Sequence, residues 1–208
     1  MRVVDYPRWV RGRLGGETVV DSKRVSLVYL DGQKIPRYAF PEQDVRLDAI
    51  PPEAITRHDG LVRVDFDALD EWLEEDQRQV GHAPDPFKRI DVRPSSRHVR
   101  VSIEGRVVAD TRRAKALFET GLPTRWYIPR EDVLAELDPS DHRTVCAYKG
   151  SPEHYDVAGA AAVAWCYQDP LHDAEPVRGM IAFYDERVDV EVDGEPQERP
   201  ATQWSRRS

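Results

Sequence analysis

The chain has 208 residues, a net charge of −8 and two cysteines. Its length suits one or two domains and is enough to bury a core without a disulfide or metal staple. The acidic balance argues against a nucleic-acid polymer as partner, which needs clustered Lys and Arg, yet leaves room for one local basic site holding a nucleotide.

From the N-terminus, residues 10–14 and 18–20 read as a hairpin turning at Gly15-Gly16. Residues 25–30 are β-branched, with a weaker helix signal. Phe66, Leu69, Trp72 and Leu73 have helical spacing but lie roughly opposite residues 163–167, which read as a strand, so that segment stays open. Arg93-Pro94-Ser95-Ser96 reads as a junction. Residues 99–103 alternate, turn at Glu104-Gly105 and return as residues 106–109. A helix is predicted next: Asp110 or Thr111 caps it, Ala114, Leu117 and Phe118 share a face, and Gly121 with Pro123 ends it. Residues 180–184 read as a buried strand, and residues 188–192 as an alternating one that stops at Asp193-Gly194. Beyond residue 196 the tail is polar and frays, with Trp204 as its docking residue.

The second half repeats the first. Asp21-Ser22-Lys23-Arg24 returns as Asp110-Thr111-Arg112-Arg113, with a glycine five residues before and eleven after. Residues 37–45 lie over residues 125–133, and Arg89-Ile90-Asp91-Val92 over Arg187-Val188-Asp189-Val190. About ninety residues is too long for a solenoid unit and long enough for a domain. The expected organisation is a degenerate N-terminal repeat domain (1–93), a C-terminal domain (94–195) and a polar tail (196–208), both domains being mainly β with short helices.

Only the second copy holds Asp141-His142-Arg143-Thr144-Val145-Cys146-Ala147-Tyr148-Lys149-Gly150; the first has no counterpart to the cysteine, tyrosine and lysine. If one copy is active, it is the second. Neither cysteine has a CxxC spacing, so a disulfide framework and a thiolate zinc site are not expected. No apolar stretch reaches bilayer-spanning length, and the first residues lack a signal-like apolar run. A cytoplasmic protein without a membrane partner is therefore expected.

At these residues the chain resembles the bacterial domain-of-unknown-function 427 family, which carries a nucleotidyltransferase-like label without an established activity. The motifs are residues 109–113, Glu119-Thr120-Gly121, residues 127–133, Cys146-x-Tyr148-Lys149-Gly150, Trp165-x-Tyr167-x-Asp169-Pro170 and Phe183-Tyr184-x-x-Arg187-Val188-Asp189. Ala147 departs from the family, where proline is usual. The resemblance is close over residues 96–195, looser over residues 7–92, and implies tandem β-tent domains of two antiparallel sheets meeting at an angle. Without CxxC knuckles, no structural zinc is expected.

Three readings follow. Nucleotidyl transfer needs carboxylates on Mg²⁺ and cations on the phosphates. Asp110, Glu119, Asp132 and Asp141 are candidates for the first role, Lys149, Arg112 and Arg113 for the second. Asp189-x-Glu191 follows no glycine turn, and alternating charge is common on a solvated sheet face. Thiol chemistry at Cys146 needs a lowered pKa from His142, Lys149 or a helix start, whereas a buried, inert thiol is the commoner outcome. The favoured reading is a small-molecule or nucleotide-like ligand in a pocket of Arg112, Glu119, Tyr127, Tyr148, Lys149 and Trp165. Lys149 and Arg112 would pair with an anionic group, Tyr127 and Trp165 would stack, and Glu119 would orient a donor. The competing bland reading is that these rings only fill the core, in a structural or interaction protein without a ligand. Oligomeric state is left open.

Overall fold

A computed structural model describes residues 1–205. The chain divides into two compact units, one from Met1 to Phe87 and the other from Lys88 onward. The first holds β1 (Arg2–Tyr6), β2 (Val10–Leu14), β3 (Glu17–Ser22), β4 (Val25–Tyr29), β5 (Arg37–Pro41), β6 (Ile55–His58), β7 (Leu61–Val64), β8 (Glu71–Glu74) and β9 (Gln77–Gln79). The second holds β10 (Ile90–Pro94), β11 (Val99–Ile103), β12 (Arg106–Thr111), β13 (Lys115–Glu119), β14 (Arg125–Ile128), β15 (Asp138–Ser140), β16 (Glu153–Val157), β17 (Ala160–Cys166), β18 (Ile181–Phe183), β19 (Asp189–Val192) and β20 (Glu195–Pro196). Every helical segment among the described residues is a short 3-10 turn.

Each unit combines a larger antiparallel sheet with a four-stranded one. The orders are β1-β4-β5-β7-β6 with β3-β2-β8-β9, and β10-β13-β14-β18-β17-β16-β15 with β12-β11-β19-β20. Ser26 faces Ala39 as Lys115 faces Tyr127, at sequence-equivalent positions. A bulge interrupts β2–β3 after Gly12 and β11–β12 after Val101, again at equivalent positions. Gly12 opposes Trp72 where Val101 opposes Val190. A Cβ on Gly12 would fall 2.5 Å from Leu69 Cδ1 and 3.2 Å from Trp72. The large ring and the missing side chain compensate each other in volume, as close packing requires.

Three expectations change. The helix predicted after Asp110 is strand β13, held by β10 on one side and β14 on the other. Ala114, Leu117 and Gly121 match a helix template, but two-sided strand pairing outweighs that local preference. Phe118, expected on the buried helix face, points outward at 46% exposure, while its neighbours Leu117 and Glu119 are buried. Residues 89–92 do not end the first copy: they lead into and form part of β10, which pairs with β13. The segment around Trp72, left open, is strand β8; it pairs with β2 as β19 pairs with β11, so its counterpart is β19.

The large sheet of the second unit has two unlike faces. One packs apolar residues against the four-stranded sheet: Ile128, Ala164, Cys166, Ile181 and Phe183 meet Val99, Val101, Val108 and Val190. The other carries a separate cluster of Leu117, Tyr127, Trp165, Tyr167, Ala182 and Tyr184. The 3-10 turn His172–Val177 contributes Ala174 and Val177 to it, and Trp204 packs on its margin as expected, while residues 206–208 of the tail lie outside the described residues. Strand register explains the second face. Lys115, Tyr127, Ala182, Trp165, His154 and Ser140 are successive cross-strand partners over six strands and share one side.

Candidate functional site

Trp165 and Tyr127 meet at the centre of this aromatic face. The indole Nε1 donates to the Tyr127 hydroxyl at 3.2 Å, with the rings edge to face at 6.3 Å. Tyr127 is wholly buried, and burial drives its hydroxyl pKa upward, as it does for Tyr167 beside it. Both remain neutral phenols. Tyr184 closes on Trp165 at 4.5 Å.

At one end of the face, Lys149 Nζ donates to Glu119 Oε2. Their side chains are 11% and 7% exposed, so this is an almost fully desolvated ion pair. Glu119 comes from the end of β13. Lys149 comes from the 146–150 turn, whose ends are tied by Cys146 N to Gly150 O (2.9 Å) and Gly150 N to Cys146 O (2.8 Å). Gly150 has φ +95°, a left-handed conformation that disfavours a side chain. Leu171 N donates to Lys149 O at 3.1 Å and fixes the turn from outside. Cys146, Tyr148 and Lys149 are half-buried, so the turn is the accessible edge and the rings are its floor. Lys88 Nζ lies 5.9 Å from the Tyr148 ring centre.

A second buried charge group flanks Trp165. Arg125 donates to Glu186 and sits 3.4 Å from Asp185. Its guanidinium lies 5.8 Å from the Trp165 ring and 5.7 Å from Trp204. Thr202 of the tail donates to Glu186 at 2.5 Å. Burial would raise the Glu186 carboxyl, but the Arg125 and Thr202 hydrogen bonds outweigh it and hold it low. Asp185 has weaker support, and burial pushes it up to about 7.

Glu119, Lys149, Tyr127 and Trp165 are thus together, with Tyr148 at the rim. Arg112 is not: it is exposed in the turn after β12, and the nearby charge it influences is Asp193. Cys146 adjoins Tyr127 and Tyr167, whose pKa values its charge would raise. His142, one of the groups expected to lower the Cys146 pKa, instead rests edge-on against His154 at 4.6 Å. Cys166 is wholly buried and its thiol is pushed up to about 11, which makes it inert packing. Asp110 caps nothing. It lies on β12 and takes bonds from His98 (2.7 Å) and Arg100 (3.2 Å), which hold its carboxyl low. Asp132 is likewise taken by Arg113 and Thr111. Asp189 and Glu191 pair with Arg199 and Arg100 on the outer sheet surface. Among the described residues, no three His, Cys, Asp or Glu side chains group as metal ligands would.

Residues 91–194, half of the chain, match the family described as a domain of unknown function (DUF427). The chain belongs to this family. The DUF427 segment spans β10 to the β19–β20 turn and so contains both faces of the large sheet, the Glu119–Lys149 pair and the Arg125 group. No curated protein matches the chain. The sequence did not reveal Arg125, Asp185 and Glu186 as one group, because Phe183-Tyr184-Asp185-Glu186 reads as a strand running into a solvated turn. Nor did it reveal His154 beside Trp165, which needs the strand register.

Proposed function

We propose that the second unit is a small-molecule binding module, taking a polar ligand of nucleotide size or smaller at the Glu119–Lys149 pair. The observation that carries this reading is the pair itself. Desolvating two charges costs more than their attraction returns in many proteins, so a buried ion pair is weak support for stability, and its presence here fits a role in binding. Here it stands behind a half-buried turn and beside the aromatic cluster. An anionic group entering past Tyr148 replaces Glu119 as the partner of Lys149, and Glu119 turns to a donor on the same ligand. The rings exclude water and strengthen both contacts. Arg112 has no part in this pocket.

We also read the two units as descendants of one duplicated domain, from the shared registers and bulges. In that reading the first unit is the scaffold copy.

The test is a melting-temperature screen of the full chain with nucleotides, sugar phosphates and small carboxylates, each with and without Mg²⁺. A saturable rise with at least one compound, weakened by Tyr148→Ala, is expected. An unmoved melting temperature across the panel contradicts the reading and favours an interaction protein without a ligand.

A further inference from the structure

A cavity of about 600 Å³ opens at the other end of the same sheet, and nothing in the Glu119–Lys149 site uses it. Its walls include Arg130, Arg143, Glu153, His154, Tyr155 and Gln168. Three features mark it as built for a ligand. First, its charge is unbalanced: two guanidiniums face one carboxylate, and that carboxylate is already engaged. Tyr155 donates to Glu153 at 2.7 Å and Gln168 Nε2 at 3.2 Å, and the Tyr155 bond is the chief cause of its lowered pKa. Second, both cations are held in place. Arg130 lies over the Tyr155 ring at 5.4 Å. Arg143 Nη1 donates to the carbonyls of Ser140 and His142, each at 2.8 Å, which leaves its Nε and Nη2 edge for an incoming group. Third, His154 is only 2% exposed, and its ring bonds through Nε2 alone, to the Thr144 hydroxyl at 2.8 Å. Its Nδ1 is buried without a hydrogen-bond partner. Leaving a buried polar nitrogen unmet costs about 1–3 kcal/mol, so this wall of the cavity carries an unmet polar group. Burial, with the nearby charges of His142, Arg143 and Arg187, lowers the ring to about 4, so it stays neutral at physiological pH.

We infer that this cavity is an oxyanion-binding site for a small carboxylate- or phosphate-bearing molecule, gripped by Arg130 and Arg143 and lying beside the His154 ring. Guanidinium forks match both carboxylate and phosphate geometry. The size suits a ligand well below a nucleic-acid chain. The site is separate from the Glu119–Lys149 pair, although Tyr184, parallel to the His154 ring at 6.3 Å and packed on Trp165, lies between them.

The experiment is calorimetric titration of the full chain with inorganic phosphate and, separately, with citrate, accompanied by NMR of the His154 ring. Saturable binding of at least one is expected, and which one binds identifies the oxyanion class. Arg130→Gln with Arg143→Gln should weaken it by about tenfold or more, since both side chains lie at the surface and the fold should survive. The His154 ring resonances should move on saturation, and Tyr148→Ala should leave the affinity unchanged. No saturable binding of either anion overturns the inference. So does binding that the double variant leaves intact, or binding that does not perturb His154.

Discussion

The two units share strand registers and bulges yet differ on one face of the large sheet. In the second unit that face carries Tyr127, Trp165, Tyr167 and Tyr184 beneath a covering turn and the tail. In the first, a single cluster fills the space between the two sheets. Ala39 stands where the second unit has Tyr127, and with Val3, Val28 and Arg63 it lines only a shallow hollow of about 30 Å³. Each unit also buries a carboxylate, in opposite ways. Glu74 is satisfied by Tyr6 (2.8 Å), Tyr38 (2.6 Å) and Arg8 (2.5 Å). Glu119 is held by Lys149. A carboxylate with three donors is a structural tie; one with a single cationic partner is what the proposed binding site requires.

Four changes sharpen or break this contrast. The largest effect belongs to Lys149→Met, which strands Glu119 as an unpaired buried charge. A loss of about 3–5 kcal/mol in chemical denaturation is expected, and a loss below about 1 kcal/mol would show that Glu119 finds another partner.

Asp185 comes next. Its carboxyl sits at about 7 against an ordinary 3.8, so the folded chain binds this proton more tightly than the unfolded one. The stability it adds is complete at acid pH and is lost as the pH climbs from about 4 to 7. His154 works in the opposite sense: lowered from 6.5 to about 4, it adds stability as the pH rises through that window. The two offset each other in the whole protein, and Asp185→Asn separates them. The variant should match the parent at pH 4 and exceed it at pH 8 by up to about 4 kcal/mol. Equal stability at both pH values would show that Asp185 titrates normally.

Tyr38→Phe probes the first unit. Glu74 keeps Tyr6 and Arg8, so about 1–2 kcal/mol should be lost by thermal unfolding, less than for Lys149→Met. A cost equal to that of Lys149→Met would erase the distinction between tie and site. The smallest effect is Trp204→Ala, about 1 kcal/mol, because the ring is half-buried at the margin of its cluster. A fluorescence or hydrogen-exchange change around Tyr184 should accompany it.

Much of the fold was legible because the hairpins carry local turn signals. Glu104-Gly105 and Asp193-Gly194 adopt the paired positive φ angles that two-residue hairpins need. The strand at 115–119 was not, because its composition suits a helix and only pairing with β10 and β14 decides the matter. Four of the six expected pocket residues converge, Tyr148 standing at the rim, because a lysine, tyrosines and tryptophan recur in the copy that has them. Arg112 failed because a basic residue beside a turn looks the same whether it faces a pocket or solvent. His154, Arg130 and Arg143 do not read as one site in the sequence, where His154 looks like an exposed loop residue, because they are joined only by the spatial arrangement of β15, β16 and the 130–132 turn.

On the proposed reading, the Glu119–Lys149 pair is kept for ligand exchange and not for stability. Denaturant unfolding of the Glu119→Gln, Lys149→Met double variant tests it most directly. An unfolding free energy within about 1 kcal/mol of the parent is expected, with the ligand-induced rise in melting temperature gone. A double variant that loses as much stability as Lys149→Met alone, or that still responds to ligand, would contradict it.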